Sequence, residues 1–343
     1  MKKIQGSIFM LCIFFFVSVA TASLSRDHNS FQTTPKFVFK PDGKNVFNNL
    51  LNAKDFQNYP AILKDTNINK ARLAAVLSVE GALYAGSIAT LSMAWYNNYQ
   101  QTSFHFFNDL NDWMLMDKMG HLTASYYIGR IGYSTLRWSG VNETKSIWYG
   151  GFLGSLYLLN VEVLDGFSEK WGFSISDFAT NTIGSFMFIG QQLGWHEQRF
   201  IMKFSFHPTD YAQYRPDLLG SNFSEQILKD YNGQTAWLSG NISSFLPKKS
   251  KFPKWINIAF GYGAEGMLGG TTNPSEYKGN HLPEFKRYHK FLLTADIDFT
   301  RIPTKSKALK AIFTVLNFIK IPFPAIEFNT NSGKNIELHP FYF

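Results

Sequence analysis

Three sets of polar residues recur at helical spacing inside otherwise apolar segments between residues 116 and 184. They are Asp117, His121 and Ser125, then Glu162 and Asp165, and finally Asp177 and Asn181. Residues three or four positions apart lie on one face of a helix, so each set marks one face of its own helix. Burying carboxylates and an imidazole costs free energy unless they are paired or hydrogen-bonded. The spacing therefore predicts three helices that pack with these faces inward around one polar cluster.

Such a cluster could bind or transform a ligand. An imidazole exchanges a proton near neutral pH, so His121 could act as acid or base while Glu162 or Asp177 orients it. Lys118 could contact a phosphate, and Ser125 is the candidate nucleophile. We take His121, Glu162 and Asp177 as candidate catalytic residues. The candidate ligand-binding residues are Asp117, Lys118, Ser125, Asp165 and Asn181.

Two other interpretations fit the same residues. In a purely structural role, Asp117 caps the start of its helix and Lys118 stays in solvent. His121 then hydrogen-bonds Glu162 or Asp177, and a satisfied network of this kind fixes the register of the helices. In a metal site, His121 and the nearby carboxylates would bind zinc or manganese, but the chain has no histidine pair such as His-x-x-x-His. We assign no metal site, and the structural and functional roles both stay open.

Four long apolar segments must position these residues: 70–96, 113–138, 146–167 and 175 to about 200. The first is apolar for long enough to cross a bilayer. Glu80, Arg130 and Glu162 lie near the middles of three segments. A charge at mid-bilayer costs about 2.5–3.5 kcal/mol on insertion scales, so these side chains should face inward. The segments predict a membrane-associated bundle of about four apolar helices.

The pattern changes to alternation beyond Phe200. Apolar residues alternate along 255–263 and 291–299, which predicts strands, and segments 325–328 and 336–343 read as a hairpin. Between them, residues 305–320 follow the period of an amphipathic helix. The final Phe343 resembles the ending of outer-membrane β-barrel chains, but the smallest barrels need eight strands. We expect an α+β fold in which the helical bundle carries a small antiparallel β region and one amphipathic helix.

The first residues have the pattern of a secretory signal peptide. Lys2 and Lys3 precede an apolar run over 8–19, and small residues follow up to the expected cleavage site after Ala22. The single cysteine, Cys12, should leave with this leader. Cleavage would lower the formal charge from +8 to +6. The expected division is signal peptide 1–22, extended arm 23–69, helical domain 70–200 and β-rich region 201–343.

Composition favours a membrane partner over nucleic acid. The chain holds 34 Phe, 16 Tyr and 8 Trp, which is typical of a protein that meets a membrane interface. Its lysines are spread along the second half of the chain rather than clustered as in a nucleic-acid-binding motif. A nucleic-acid partner is therefore not expected, and no cofactor can be named.

The order of the polar residues resembles a known family. Asp117-Lys118-x-x-His121, then Glu162, then Ser174-x-x-Asp177-x-x-x-Asn181 is similar to the YfiM-like family of uncharacterised bacterial envelope proteins. It also looks like the wider VanZ-like group of helical membrane proteins. YfiM-like members are often lipoproteins, whereas this leader lacks a lipid-attachment motif.

These observations lead to one expected function and one alternative. We expect an exported protein on the periplasmic side of the cell envelope, associated with the outer membrane, with the inner membrane as the alternative. Its expected role is structural or in binding, with a membrane lipid or an envelope precursor as partner. The alternative is an enzyme that acts on a lipid or cell-wall precursor with His121 as acid or base.

Overall fold

The computed structural model describes residues 67–95, 100–331 and 335–343. The expected signal peptide, Cys12 and nearly all of the expected arm lie outside the described residues. Within them, a helical half leads into a mainly antiparallel β half, which makes an α+β fold.

Long helices build the first half of the described chain. They are α1 (Lys70–Trp95), α2 (Met116–Trp138), α3 (Leu153–Asp165) and α4 (Ile175–Trp195). A 3-10 turn, Asp112–Leu115, leads into α2, and the short helix Glu143–Lys145 and the π-helical turn Ser146–Gly150 precede α3. Ser174 caps the N-terminus of α4. Its Oγ accepts a hydrogen bond of 3.0 Å from the Asp177 N–H, which has no backbone carbonyl partner in the first turn of the helix.

The second half is a sheet with short helices between its strands. The strands are β1 (Phe200–Phe206), β2 (Gln234–Asn241), β3 (Ile256–Glu265), β4 (Glu276–Tyr277), β5 (Asn280–His281), β6 (Tyr288–Ile297), β7 (Phe323–Asn329) and β8 (Ile336–Tyr342). Six of them form one antiparallel sheet in the order β1-β2-β3-β6-β7-β8, and β4 and β5 pair separately. Helix α5 (Phe223–Lys229) precedes β2, and α6 (Lys307–Leu316) precedes β7. Single turns lie at Asp210–Gln213, Pro216–Leu219, Ile242–Phe245 and Phe299–Arg301.

Helix α2 joins the two halves. Tyr126 and Tyr127 are fully buried against Phe188 of α4 and Met202 of β1. The Tyr127 hydroxyl donates to the Met202 carbonyl, which ties α2 to the first strand. The faces of α2 that carry polar residues are therefore enclosed by protein on several sides.

The predicted membrane-associated bundle of about four apolar helices with a small β region is wrong. Among the described residues, two helical stretches are long and apolar enough to cross a membrane by length and composition: Lys70–Met93 and Glu143–Asp165, the latter 50% buried. Helices α2 and α4 do not qualify, because the polar residues that they bury lower their hydropathy. The described β half has eight paired strands, six of them in the main sheet. The sequence did not predict β1 and β2, because the inward polar residues Lys203, Ser205 and Thr235 obscure their alternation.

Candidate functional site

Close helix packing creates the polar cluster. A side chain at Gly154 of α3 would place its Cβ 2.2 Å from the Ser125 carbonyl oxygen of α2. One at Gly184 of α4 would come within 2.4 Å of the Leu122 carbonyl oxygen. Glycine at both positions lets α3 and α4 approach the α2 backbone. Their polar faces then meet in the interior.

Lys118 lies at the centre of this cluster and not in solvent. Its Nζ is 2.7 Å from Asp177 Oδ1, 2.9 Å from Asp109 Oδ1 and 3.3 Å from Asp117 Oδ2. The side chain is only 2% exposed, so the solvated lysine of the purely structural interpretation is wrong. Burial alone would lower the pKa of Lys118, but the Asp117 and Asp177 carboxylates raise it above its ordinary value. The lysine is a permanent buried cation.

His121 contacts an amide rather than a carboxylate. Its Nδ1 is 3.1 Å from Asn181 Oδ1, whereas the nearest oxygens of Glu162 and Asp177 are 3.9 Å away. The predicted hydrogen bond to either acid is therefore wrong. Burial disfavours the imidazolium, but the charges of Asp177, Asp117 and Glu162 outweigh it and raise the pKa of His121 to about 9. At neutral pH the ring is protonated, which suits a donor or acid and not a base.

The carboxyl groups around these cations are held in different protonation states. Burial raises the pKa of Glu162 to about 8 and that of Asp177 to about 7. Burial also disfavours the Asp109 carboxylate, but hydrogen bonds with Asp177, Ser174 and Lys118 lower its pKa to about 2. The cluster therefore combines ionised and protonated acids within one small volume, as enclosed polar networks do.

The other two predicted residues, Ser125 and Asp165, have structural contacts. The Ser125 Oγ donates to the Asn181 carbonyl oxygen at 2.5 Å and lies 3.0 Å from the Ser185 Oγ. It is fully buried, so it is no nucleophile for an outside substrate. Asp165 is the last residue of α3, and its charge helps to raise the pKa of Glu162.

Three residues of the cluster were not among the predicted site residues: Asp109, Ser174 and Tyr231. Asp109 precedes α2 and accepts hydrogen bonds from Ser174 at 2.6 Å and from Ser176 at 2.8 Å. The Tyr231 hydroxyl, from the β half, donates to Asp117 Oδ1 at 2.9 Å. Ser174 had a signal in its capping position three residues before Asp177. No periodicity could have indicated Asp109 or Tyr231, because both lie outside the helices of the cluster.

The donor set fits a metal ion poorly. One ligand atom each from Asp117, His121 and Asp177 can be found within 4.8 Å of one another. Lys118 Nζ already contacts both carboxylates and neutralises them, so a divalent ion in the same place would meet a fixed positive charge. The residues support an internal ion-pair network more than a metal centre.

An apolar cleft opens beside the exposed edge of the cluster. Its lining is Met116, Asp117, Met119, Gly120, His121, Thr123, Ala124, Tyr127, Leu158, Phe204, Ile227, Leu228, Tyr231, Gln234, Ala236 and Phe318. Most of these side chains are apolar, and the enclosed volume is about 100 Å³. Asp117, His121 and Tyr231 are the cluster members in this lining, and Asp117 and His121 are the more exposed, at 14% and 15% against 4% for Tyr231.

Strained backbone fixes the start of α2. Trp113, Met114 and Leu115 all have positive φ angles, of 51°, 49° and 67°. Such a conformation costs about 1–3 kcal/mol per residue and persists only where surrounding contacts hold it. Here the Trp113 N–H donates to the Gly270 carbonyl at 2.9 Å, and the Tyr262 hydroxyl donates to the Met114 carbonyl at 2.5 Å. The β half thus sets the position of Asp117 and Lys118.

Residues 105–189 match the model of a family described as predicted periplasmic lipoprotein (DUF2279). The match covers about a quarter of the chain and includes every candidate site residue named from the sequence. No curated protein and no solved structure matches the chain. The narrower likeness to YfiM-like and VanZ-like proteins stays a prediction. Over these residues the chain is similar to an uncharacterised family of predicted periplasmic lipoproteins, which supports an exported protein on the periplasmic side of the cell envelope.

Proposed function

We propose that this protein binds a lipid in the cleft beside Asp117 and His121, as a membrane-associated component of the cell envelope. The observation that carries the proposal is the cleft itself, whose walls are apolar and whose accessible polar groups come from the buried cluster. Binding sites with apolar walls and a few placed polar groups are typical of small-molecule ligands. An acyl chain would contact the walls, and a polar head would meet the carboxylate and the imidazolium.

The size of the cleft limits how much of the ligand it covers. The enclosed part, about 100 Å³, holds a segment of an acyl chain, so the rest of the molecule would lie toward the open side. Met116 and Met119 line this space, and unbranched thioether side chains adapt to chains of different length. We propose the outer membrane as the source of the lipid, because the antiparallel sheet exposes apolar side chains such as Ile258 and Phe260 on its outer face, as the strands of outer-membrane proteins do.

The alternative function is an enzyme that acts on a lipid or cell-wall precursor. The position of His121 favours it, since a protonated imidazole at the edge of an apolar cleft can donate a proton to a bound substrate. The buried Ser125 counts against a covalent mechanism. Incubation with an envelope lipid extract separates the two, because an enzyme yields new products that are lost in His121→Gln, whereas a binding protein releases its lipid unchanged.

Obstruction of the cleft tests lipid binding directly. Gly120 lines the cleft, and a Cβ at this position meets nothing within 4 Å, so Gly120→Trp should fold normally and extend over the opening. We expect its affinity for the fluorescent fatty acid cis-parinaric acid to fall about tenfold or more, which corresponds to roughly 1.4 kcal/mol of lost contact.

Gly194→Trp is the matched control. Gly194 is also an exposed helical glycine with nothing within 4 Å of its Cβ, but it lies in α4 and outside the cleft lining. It should bind the probe as the unmodified chain does. Equal affinities for both variants and the unmodified chain would contradict the proposed lipid site.

A further inference from the structure

The two faces of the six-stranded sheet are inverted relative to those of a water-soluble sheet. Lys203, Lys290, Asp296 and Glu327 point inward and are at most 4% exposed. The alternating outward positions are apolar: Leu238, Ile258, Phe260, Phe291, Leu293, Ile326, Phe328 and Leu338. Ile258 and Phe260 are each 49% exposed, and Leu338 is 76% exposed. A soluble antiparallel sheet shows the opposite order, with its apolar face toward the core.

The inward charges are paired with one another in the interior. Lys203 Nζ is 2.8 Å from Asp296 Oδ2, and Ser239 Oγ donates to the same carboxylate at 2.6 Å. Lys290 pairs with Glu265 in the same interior. Because these partners are buried with one another, the polar face belongs inside. The apolar face is then the one that meets the surroundings.

Helices extend the apolar surface beyond the sheet. Helix α6 exposes Leu309, Ile312 and Leu316, and α4 exposes Ile183 and Phe186. Exposed apolar side chains thus cover one face of the sheet and parts of two helices, whereas a soluble monomer usually exposes large apolar residues singly.

One end of the sheet is strongly basic. Register places the start of β1, the end of β2, the start of β3 and the end of β6 side by side, with Gly240 opposite Phe200 and Ile297 opposite Ile256. The loops at this end and the first turn of α6 carry seven exposed lysines: Lys248, Lys249, Lys251, Lys254, Lys305, Lys307 and Lys310. Lysines spread along the sequence are thus gathered in space.

Aromatic side chains adjoin both the apolar face and the lysines. Trp195 and Phe200 line one groove with Leu238, and Phe245 lies three residues before Lys248. Trp195, Phe200 and Phe245 form one group, with ring centroids 5.6–6.2 Å apart. Trp255 directly precedes β3 at the same end of the sheet. Aromatic rings at the boundary between an apolar surface and a charged rim are typical of the head-group level of a membrane.

We propose that the outward face of the sheet contacts the acyl chains of a lipid membrane, with the seven lysines against anionic head groups. The occupant follows from the order of the surface, which runs from apolar side chains through aromatic rings to lysines and matches acyl chains, interface and anionic head groups. This contact is independent of the lipid cleft beside His121.

Environment-sensitive labels test the contact. With Cys12 replaced by Ser, single cysteines at Phe260→Cys and Leu293→Cys are labelled with the fluorophore NBD, and the control is Ser275→Cys, which is exposed near the opposite end of the sheet. In phosphatidylcholine–phosphatidylglycerol vesicles we expect a blue shift and quenching by nitroxide-labelled acyl chains at 260 and 293, and neither change at 275. Circular dichroism confirms that each labelled protein is folded.

The lysines are tested by neutralisation. The pair Lys248→Gln and Lys249→Gln should weaken binding to vesicles that contain phosphatidylglycerol by about thirtyfold, since each lysine near an anionic surface contributes roughly 1 kcal/mol. The pair Lys278→Gln and Lys286→Gln, in the segment between β3 and β6, should leave binding unchanged.

Two results would overturn the proposal. One is water-like emission from the labels at 260 and 293 when the protein is bound to vesicles. The other is the formation of an oligomer in detergent-free buffer that shields those labels and does not bind vesicles. A second copy of the chain, and not lipid, would then cover the apolar face.

Discussion

Lys118 is a buried cation that balances the acidic side chains enclosed between the helices. Removing one partner of a buried ion pair leaves the other charges without compensation, which costs more than the pair itself contributes. Asp109 and Asp177, on different segments, both depend on this one ammonium group. At the scale of single residues, the cluster is therefore held by a lysine that the sequence suggested only as a phosphate contact or as a solvated side chain.

Replacing that lysine should destabilise the fold. Lys118→Met keeps the length of the side chain but removes its charge, and we expect the free energy of unfolding to fall by about 3–5 kcal/mol. Lys145→Met is the control, because Lys145 is exposed at a short helix. Denaturant unfolding in mild detergent measures both. Equal midpoints for Lys118→Met and the unmodified chain would contradict a central role for the ion pair.

Stability should also depend on pH through His121, Glu162 and Asp177. Their pKa values in the fold, about 9, about 8 and about 7, exceed the ordinary values of 6.5, 4.5 and 3.8. The folded protein thus binds more protons than the unfolded chain between these limits, so stability falls as pH rises. The histidine contribution is complete below pH 6.5 and is lost through pH 9.

The melting temperature should accordingly decrease from mildly acidic to alkaline buffer, and His121→Gln should flatten the decrease at its alkaline end. Differential scanning fluorimetry across this range provides the measurement. A melting temperature that rises with pH would contradict the raised pKa values, because the folded protein would then bind fewer protons than the unfolded chain.

At the scale of elements, helix contact depends on the absence of side chains at two positions. Glycine normally weakens a helix interior, yet Gly154 and Gly184 lie where α3 and α4 touch the α2 backbone. The close approach brings Glu162 and Asn181 to His121.

Gly154→Ala should therefore destabilise the protein, by about 1–3 kcal/mol, because its Cβ would overlap the Ser125 carbonyl group and force α3 outward. Gly190→Ala offers a matched comparison, since nothing lies within 4 Å of a Cβ there and alanine favours a helix. Thermal unfolding should rank Gly154→Ala below and Gly190→Ala at or above the unmodified chain. The reverse order would show that α3 and α2 do not need their close contact.

At the scale of the molecule, periodicity predicted more of the elements than of their arrangement. The spacing from Asp117 to Asn181 indicated helices whose polar faces meet, and the structure brings those residues together. Asp109 and Tyr231 join them only through the tertiary fold. Alternation placed Ile258 and Phe260 on one face, but a period of two does not tell which face meets the protein interior. The bundle was predicted wrongly for the related reason that long apolar helices occur in cores and membranes alike.

The inverted sheet also constrains how the chain is made. In water, collapse buries apolar surface first, so an unassisted chain would tend to turn its strands with Phe260 and Leu293 inward and Lys203 and Asp296 outward. Strands that expose such faces before they reach their final place are prone to aggregate. We therefore expect the exported chain to require a holding chaperone or an immediate lipid surface, so that its topology would depend on where it folds as well as on its sequence.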